Sequence, residues 1–180
     1  MTLLRTLQKR MTVPDIAIIG GGPCGLTLAK LLDRKGITYV VYERDESTSS
    51  NREGGSLDLH ANTGQLALRQ AGLFEEFKKH ARYEDTVFSI ADKAGHKILE
   101  LGQGHDAPEI DRGELRQLLI DAIPKEKIKW GHKLGSVELG EGGRPVLRFT
   151  NGVVLSGFKL VVGADGAWSK VRRLVRPPWF

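Results

Sequence analysis

Three glycines, Gly20, Gly22 and Gly25 in the spacing G-x-G-x-x-G, and one acid, Glu43, 18 residues after the last of them (43 less 25), are the residues whose types and spacing point to chemistry. In this pattern the first glycine makes a tight turn, the second lets the backbone approach a pyrophosphate, and the third lets a helix pack against a strand. The phosphates then face the positive end of that helix. A carboxylate at Glu43 can accept hydrogen bonds from both hydroxyls of an adenosine ribose and repels a 2′-phosphate. The plainer reading of Glu43 is a solvated acid at a strand end. Pro23 suits the first turn of a helix, and Cys24 fills a fingerprint position where a small side chain fits. Cys24 has no base partner in the sequence and is not read as a nucleophile. These residues point to a bound dinucleotide but do not separate FAD from NAD.

The elements around the fingerprint are the ones it needs. Residues 15–19 read as a buried strand running into Gly20-Gly21-Gly22. A helix follows, with Leu26, Leu28, Ala29, Leu31 and Leu32 on its apolar face and Gly36 at its end. Residues 38–42 are β-branched and aromatic, a second strand that closes on Glu43-Arg44. Strand, glycine turn, helix and strand make a βαβ unit. Beyond it, residues 45–56 read as a loop. Asn62 or Thr63 caps a helix to about Gln70, and a shorter helix runs from Phe74 to about His80. Residues 87–91 and 97–101 alternate like paired strands. Asp111 caps a helix carrying Leu115, Leu118, Leu119 and Ile120, which stops before Pro124. Residues 128–130 read as a short strand. Residues 136–139, 146–150 and 153–155 read as an antiparallel meander with turns at 140–143 and Asn151-Gly152. Residues 160–162 form another buried strand, opening onto Gly163-Ala164-Asp165-Gly166 and a last helix near 168–175. Trp130 and Trp168 are read as core residues.

Composition excludes several function classes. The 180 residues carry a net charge of +5, but three of the basic residues (Arg5, Lys9, Arg10) lie in the first 14 positions and four (Lys170, Arg172, Arg173, Arg176) in the last 11. Taking those seven from 27 leaves 20 basic against 22 acidic residues, so no broad cationic face for nucleic acid is implied. No apolar run approaches the roughly 18 residues of a membrane span. The five histidines show no paired ligand spacing, so no metal site is expected. The single cysteine allows no internal disulfide and fits a reducing compartment, hence an expected cytoplasmic location. Residues 1–12 are read as a leader. The basic, hydroxylated stretch 1–10 fits either a weak organelle-targeting segment or a plain disordered start before Met11.

Four segments occur in one order: GGGPCGLTLAKLL from Gly20, GGSLDLHANTGQLALRQAGL from Gly54, DRGELR from Asp111 and VVGADGAWSKVR from Val161. In these segments the chain resembles the class A FAD-dependent monooxygenases, the superfamily typified by para-hydroxybenzoate hydroxylase. The second segment is most similar to the tetracycline-inactivating members. The resemblance covers about residues 13–176. It implies an α/β fold: a Rossmann-like FAD-binding domain over 13–180, with a mainly parallel sheet, helices on its faces and an antiparallel meander as crossover. It also implies FAD as cofactor, NADPH as reductant, and O₂ and a small organic substrate, aromatic or polyketide-like, as partners.

By the same resemblance Glu43 and Arg44 go to the adenosine half of FAD. Gly54 and Gly55 belong to the loop beside the isoalloxazine ring, with Asp58 as a polar neighbour just beyond. Arg116 reaches the phosphate or ribityl portion, whereas Arg112 points elsewhere. Asp165 contacts FAD or serves NADPH, against the plainer reading that Asp-Gly is ordinary turn chemistry. No side chain is assigned as an acid–base catalyst, since the cofactor carries the hard chemistry. The family's later Gly-Asp flavin motif and a long substrate sheet have no match, so the chain is expected to be the N-terminal portion of a larger enzyme. Two rivals stand beside that reading: a truncated, inactive FAD-binding fragment, and a Rossmann NAD(P) reductase without flavin.

Overall fold

The computed structural model describes residues 13–48, 54–83, 88–101 and 107–175. The leader, Val87 and Arg176 lie outside the described residues. Strand β1 (Ile16–Ile19) enters the glycine turn, and helix α1 (Pro23–Arg34) leaves it with Pro23 in the first turn. Gly36, at φ +65°, ends that helix in the left-handed region a glycine tolerates. Strand β2 (Tyr39–Tyr42) returns fully buried.

Two small pieces of sheet follow. Strand β3 (Ser56–Asp58) runs antiparallel to a later strand, and the helices α2 (Leu66–Ala71) and α3 (Phe74–His80) come after it. The turn at Ala61–Gln65 is a π-helix, in which the buried Gln65 amide donates to the Leu59 carbonyl at 2.8 Å. Strands β4 (Phe88–Ala91) and β5 (Lys97–Leu101) form a hairpin, and β6 (Glu109–Asp111) is the partner of β3. Neither β3 nor β6 is foreseen above: three-residue strands carry too little alternation to be legible. Helix α4 (Arg112–Asp121) starts at Asp111, but the Asp111 carboxylate makes no cap bond. It accepts instead from Arg82 at 3.0 Å.

The chain closes with β7 (Ile128–Lys129), the meander β8 (Leu134–Leu139), β9 (Pro145–Phe149) and β10 (Val154–Ser156), then β11 (Leu160–Gly163) and α5 (Arg172–Val175). The central sheet is parallel throughout, in the order β11-β1-β2-β7, with Ile18 paired to Val162 on one side and Val41 on the other. Its strands alternate between two apolar clusters, as buried parallel strands do. Ile18, Tyr39 and Val41 join Leu26, Ala29, Leu119 and Phe77 on the helical side. Ala17, Ile19, Val40 and Tyr42 join Leu147, Phe149 and Phe158 of the meander side. Among the described residues, then, helices cover one face of the sheet and the meander covers the other. The last helix is shorter than expected, because residues 165–170 form a turn held by Asp165. Trp168 is not a core residue: it is 90% exposed, whereas Trp130 packs against the helical-side cluster.

The two buried tyrosines give the fold a pH limit. Burial pushes the Tyr42 phenol up to about 12, and burial followed by the nearby Asp33 carboxylate pushes Tyr39 up as well. The unfolded phenols ionise near 10. Stability from keeping them neutral is therefore complete below pH 10 and is lost as pH rises through the folded values. Above pH 10 each tyrosine is expected to remove up to about 1.4 kcal/mol per pH unit. Urea unfolding at pH 9, 10 and 11 checks this: Tyr42→Phe should flatten the decline, and an unchanged slope would refute the assignment.

Candidate functional site

The C-terminal ends of β1, β2 and β11 open onto one cleft of about 780 Å³. In an open parallel sheet this is where ligands bind, at the point where connections leave in opposite directions. Here β2 lies on one side of β1, and β11, reached through the meander, lies on the other.

The glycines at the head of the cleft have different reasons to be glycine. Gly20 has φ +110°, and a Cβ there would lie 2.3 Å from the Ala164 carbonyl oxygen. A Cβ on Gly25 would lie 2.1 Å from the Gly20 oxygen. These two are required by the chain's own packing, since the helix start, the turn and the end of β11 touch backbone to backbone. Gly22 is different. Its φ is −85°, open to any residue, and a Cβ there would meet nothing within 4 Å. Nothing among the described residues demands a bare backbone at Gly22. A molecule lying across the turn at close range would demand it, and so the site fits a dinucleotide pyrophosphate.

Charge agrees with this. The first turn of α1 holds no acid. Arg44, Arg112, Lys133 and Lys170 line the cleft. The two acids among the described residues of its wall are occupied by N–H and O–H donors. Glu43, 2% exposed, accepts from the Gly21 N–H through Oε2 and from the Asp45 N–H through Oε1 at 3.0 Å. Asp165 accepts from the Ser169 hydroxyl at 2.6 Å and the Lys170 N–H at 2.7 Å. That is the turn chemistry its Asp-Gly sequence suggested.

Of the residues singled out in the sequence, Gly20, Gly22, Pro23, Cys24, Glu43, Arg44, Arg116 and Asp165 all lie on the cleft wall. Gly25 lies just beneath, buried. Gly54, Gly55 and Asp58 do not line the cleft and are exposed. Gly54 and Gly55 abut it through Arg112, whose N–H donates to the Gly55 carbonyl at 3.2 Å. Both arginines of DRGELR line the cleft, at different depths. Arg112, at the first position of α4, lines the cleft and is exposed. Arg116, 4% exposed, is drawn inward: its Nε donates to the Gly21 carbonyl at 2.9 Å and Nη2 to Asp45 at 3.2 Å, with the Trp130 ring 5.4 Å from the guanidinium. One helical turn separates the two, and only the deeper one reaches the glycine turn.

His132, Lys133, Trp168 and Lys170 also line the cleft, and the sequence alone did not single them out for it. The His132 N–H donates to the Glu43 carbonyl at 2.7 Å, which holds the segment after β7 against the end of β2. No helix among the described residues is long and apolar enough to cross a membrane, and none of their acidic, histidine and cysteine side chains group to hold a metal.

The glycine assignments separate cleanly by experiment. Gly25→Ala should cost at least about 2 kcal/mol, because backbone must move to admit the methyl group. Gly22→Ala should stay within about 0.5 kcal/mol of the parent in chemical denaturation. Equal losses would mean that both glycines serve packing.

Comparison with known proteins gives one consistent result. The FAD binding domain family model matches residues 14–178. Monooxygenase asqM of Emericella nidulans is 32% identical over 175 residues, which cover 89% of this chain and 40% of that protein. Monooxygenase penA of Penicillium thymicola is 35% identical over 172 residues, covering 89% and 39%. The crystal structure of tetracycline destructase Tet(55) superposes with a TM-score of 0.70 at 26% identity, over 92% of this chain and 42% of that one. The chain spans about two-fifths of the length of the curated relatives it matches.

Proposed function

This chain belongs to the FAD binding domain family, and we propose that residues 13–180 act as the FAD-holding part of an FAD-dependent monooxygenase. The observation that carries the reading is Gly22, bare toward the cleft although no described residue would meet a Cβ there. A flavin-free NAD(P) reductase is disfavoured by the family match over 14–178.

In this proposal the pyrophosphate lies across Gly20, Gly22, Pro23, Cys24 and Gly25, facing the N–H groups at the start of α1. Arg44 and the rim of Glu43 serve the adenosine half. Arg112, rather than Arg116, offers its guanidinium to the anionic portion of the ligand. Gly54, Gly55 and Asp58 lie toward the flavin ring, and Asp165 holds the turn that forms the opposite wall. The chemistry that bound FAD supplies is two-electron redox, with NADPH as donor and with O₂ oxygenating a small organic substrate. The chain's own residues bind and orient; none is assigned a proton transfer. A cytoplasmic location is part of the proposal.

Water exclusion is what these residues alone do not provide. Gly54, Gly55 and Asp58 are exposed, so a ring held beside them would face solvent and its reaction with O₂ would not be shielded from water. The 180-residue chain should therefore bind FAD yet give no substrate-dependent NADPH oxidation coupled to hydroxylated product, as checked by mass spectrometry.

Gly22→Val tests the site. A Cβ here meets no described atom within 4 Å, so circular dichroism should match the parent, while FAD affinity by fluorescence titration should fall at least about tenfold, or about 1.4 kcal/mol. Unchanged FAD affinity in a folded Gly22→Val protein would refute the assignment.

A further inference from the structure

We propose that Asp45 is a positioning residue that holds the glycine turn in its ligand-receiving shape before any ligand arrives. The geometry is a closed ring of four residues. The Gly21 N–H donates to Glu43 Oε2. The Gly21 carbonyl accepts from Arg116 Nε at 2.9 Å. Arg116 Nη2 donates to Asp45 Oδ2 at 3.2 Å, and the Asp45 N–H returns to Glu43 Oε1 at 3.0 Å. Both polar groups of Gly21 are thus fixed by charged side chains, one from the end of β2 and one from α4, 95 positions away in sequence.

A glycine-rich turn has the most backbone freedom to lose, and the fixed peptide next to Gly22 is where that loss has to be met. Glu43 and Arg116 hold Gly21 from opposite sides, but Arg116 is a buried cation whose orientation needs a partner. Asp45, its side chain 14% exposed against 5% for Arg116, supplies the anion. The Trp130 ring sits near the guanidinium and narrows its choice of position further. The ring also joins three separate pieces of chain: the first glycine turn, the segment after β2 and the middle of α4. Asp45 lies two residues beyond the acid of the fingerprint, where the dinucleotide pattern requires nothing. Its role follows from the fold, and it acts through Arg116 without touching the ligand.

The test uses the full 180-residue chain and two measurements. Amide hydrogen exchange reports the turn directly, with no cofactor present; FAD titration reports the consequence, and only this second measurement rests on the flavin reading. Asp45→Asn should accelerate Gly21 amide exchange at least about tenfold, with the change confined to residues 20–22 and 43–45. It should also raise the FAD dissociation constant about tenfold, as expected for weakening one charge-assisted contact. In an Arg116→Met background the same Asp45→Asn change should add nothing to either, because the route through Arg116 is already gone. Asp45→Glu, which keeps the charge, should recover most of both; it also provides the comparison if the asparagine variant folds poorly. Unchanged Gly21 exchange in Asp45→Asn would overturn the proposal, as would an increase spread evenly over the sheet and α1, which is the mark of general destabilisation. If the parent chain binds no FAD, the flavin reading fails, while Gly21 exchange still decides the role of Asp45.

Discussion

Everything at the working end of this chain depends on three backbone segments touching without side chains between them. The start of α1 rests on the Gly20 carbonyl through Gly25, and Gly20 rests on the Ala164 carbonyl at the end of β11. Two absent methyl groups therefore bring together the first strand, the first helix and the last strand of the sheet. That approach fixes where the cleft lies. It also explains why the meander has to return the chain to β11 on the far side of β1: without that return the turn has no second wall.

The parts of this arrangement legible in the sequence are those set by local rules. The strand of four β-branched and small residues at Ile16–Ile19, the proline at the first helical turn and the left-handed glycine after it each follow from neighbours in the chain. The meander was readable for the same reason, since Asn151-Gly152 and the glycines at 140–143 mark its turns. Its observed strands begin and end within a residue or two of those expected. The β3–β6 pair was not readable, because its stability comes from a partner about fifty residues away and from Arg82 bridging Asp111 and Ser56.

The site was legible in position and less so in detail. Nearly every fingerprint residue reaches the cleft, and both arginines of DRGELR line it, but how deeply each one sits was not legible. Periodicity puts Arg112 and Arg116 on one face of the helix, but it cannot say that a bare carbonyl at Gly21 and a carboxylate at Asp45 wait beneath the second. Trp168 shows the complementary failure. A large aromatic ring is usually buried, and only the turn closed by Asp165 through Ser169 and Lys170 puts this one outside.

Cys24 gives the cleft an unplanned instrument. Its sulfur is exposed in the first turn of α1, on the wall where a pyrophosphate would pass, and the sequence contains no second thiol. A thiol-specific reagent therefore has one address on the whole polypeptide, and a molecule filling the head of the cleft would shield it. The rate at which a maleimide dye attaches becomes a footprint of occupancy, readable by mass alone, in a protein that needs no engineered label.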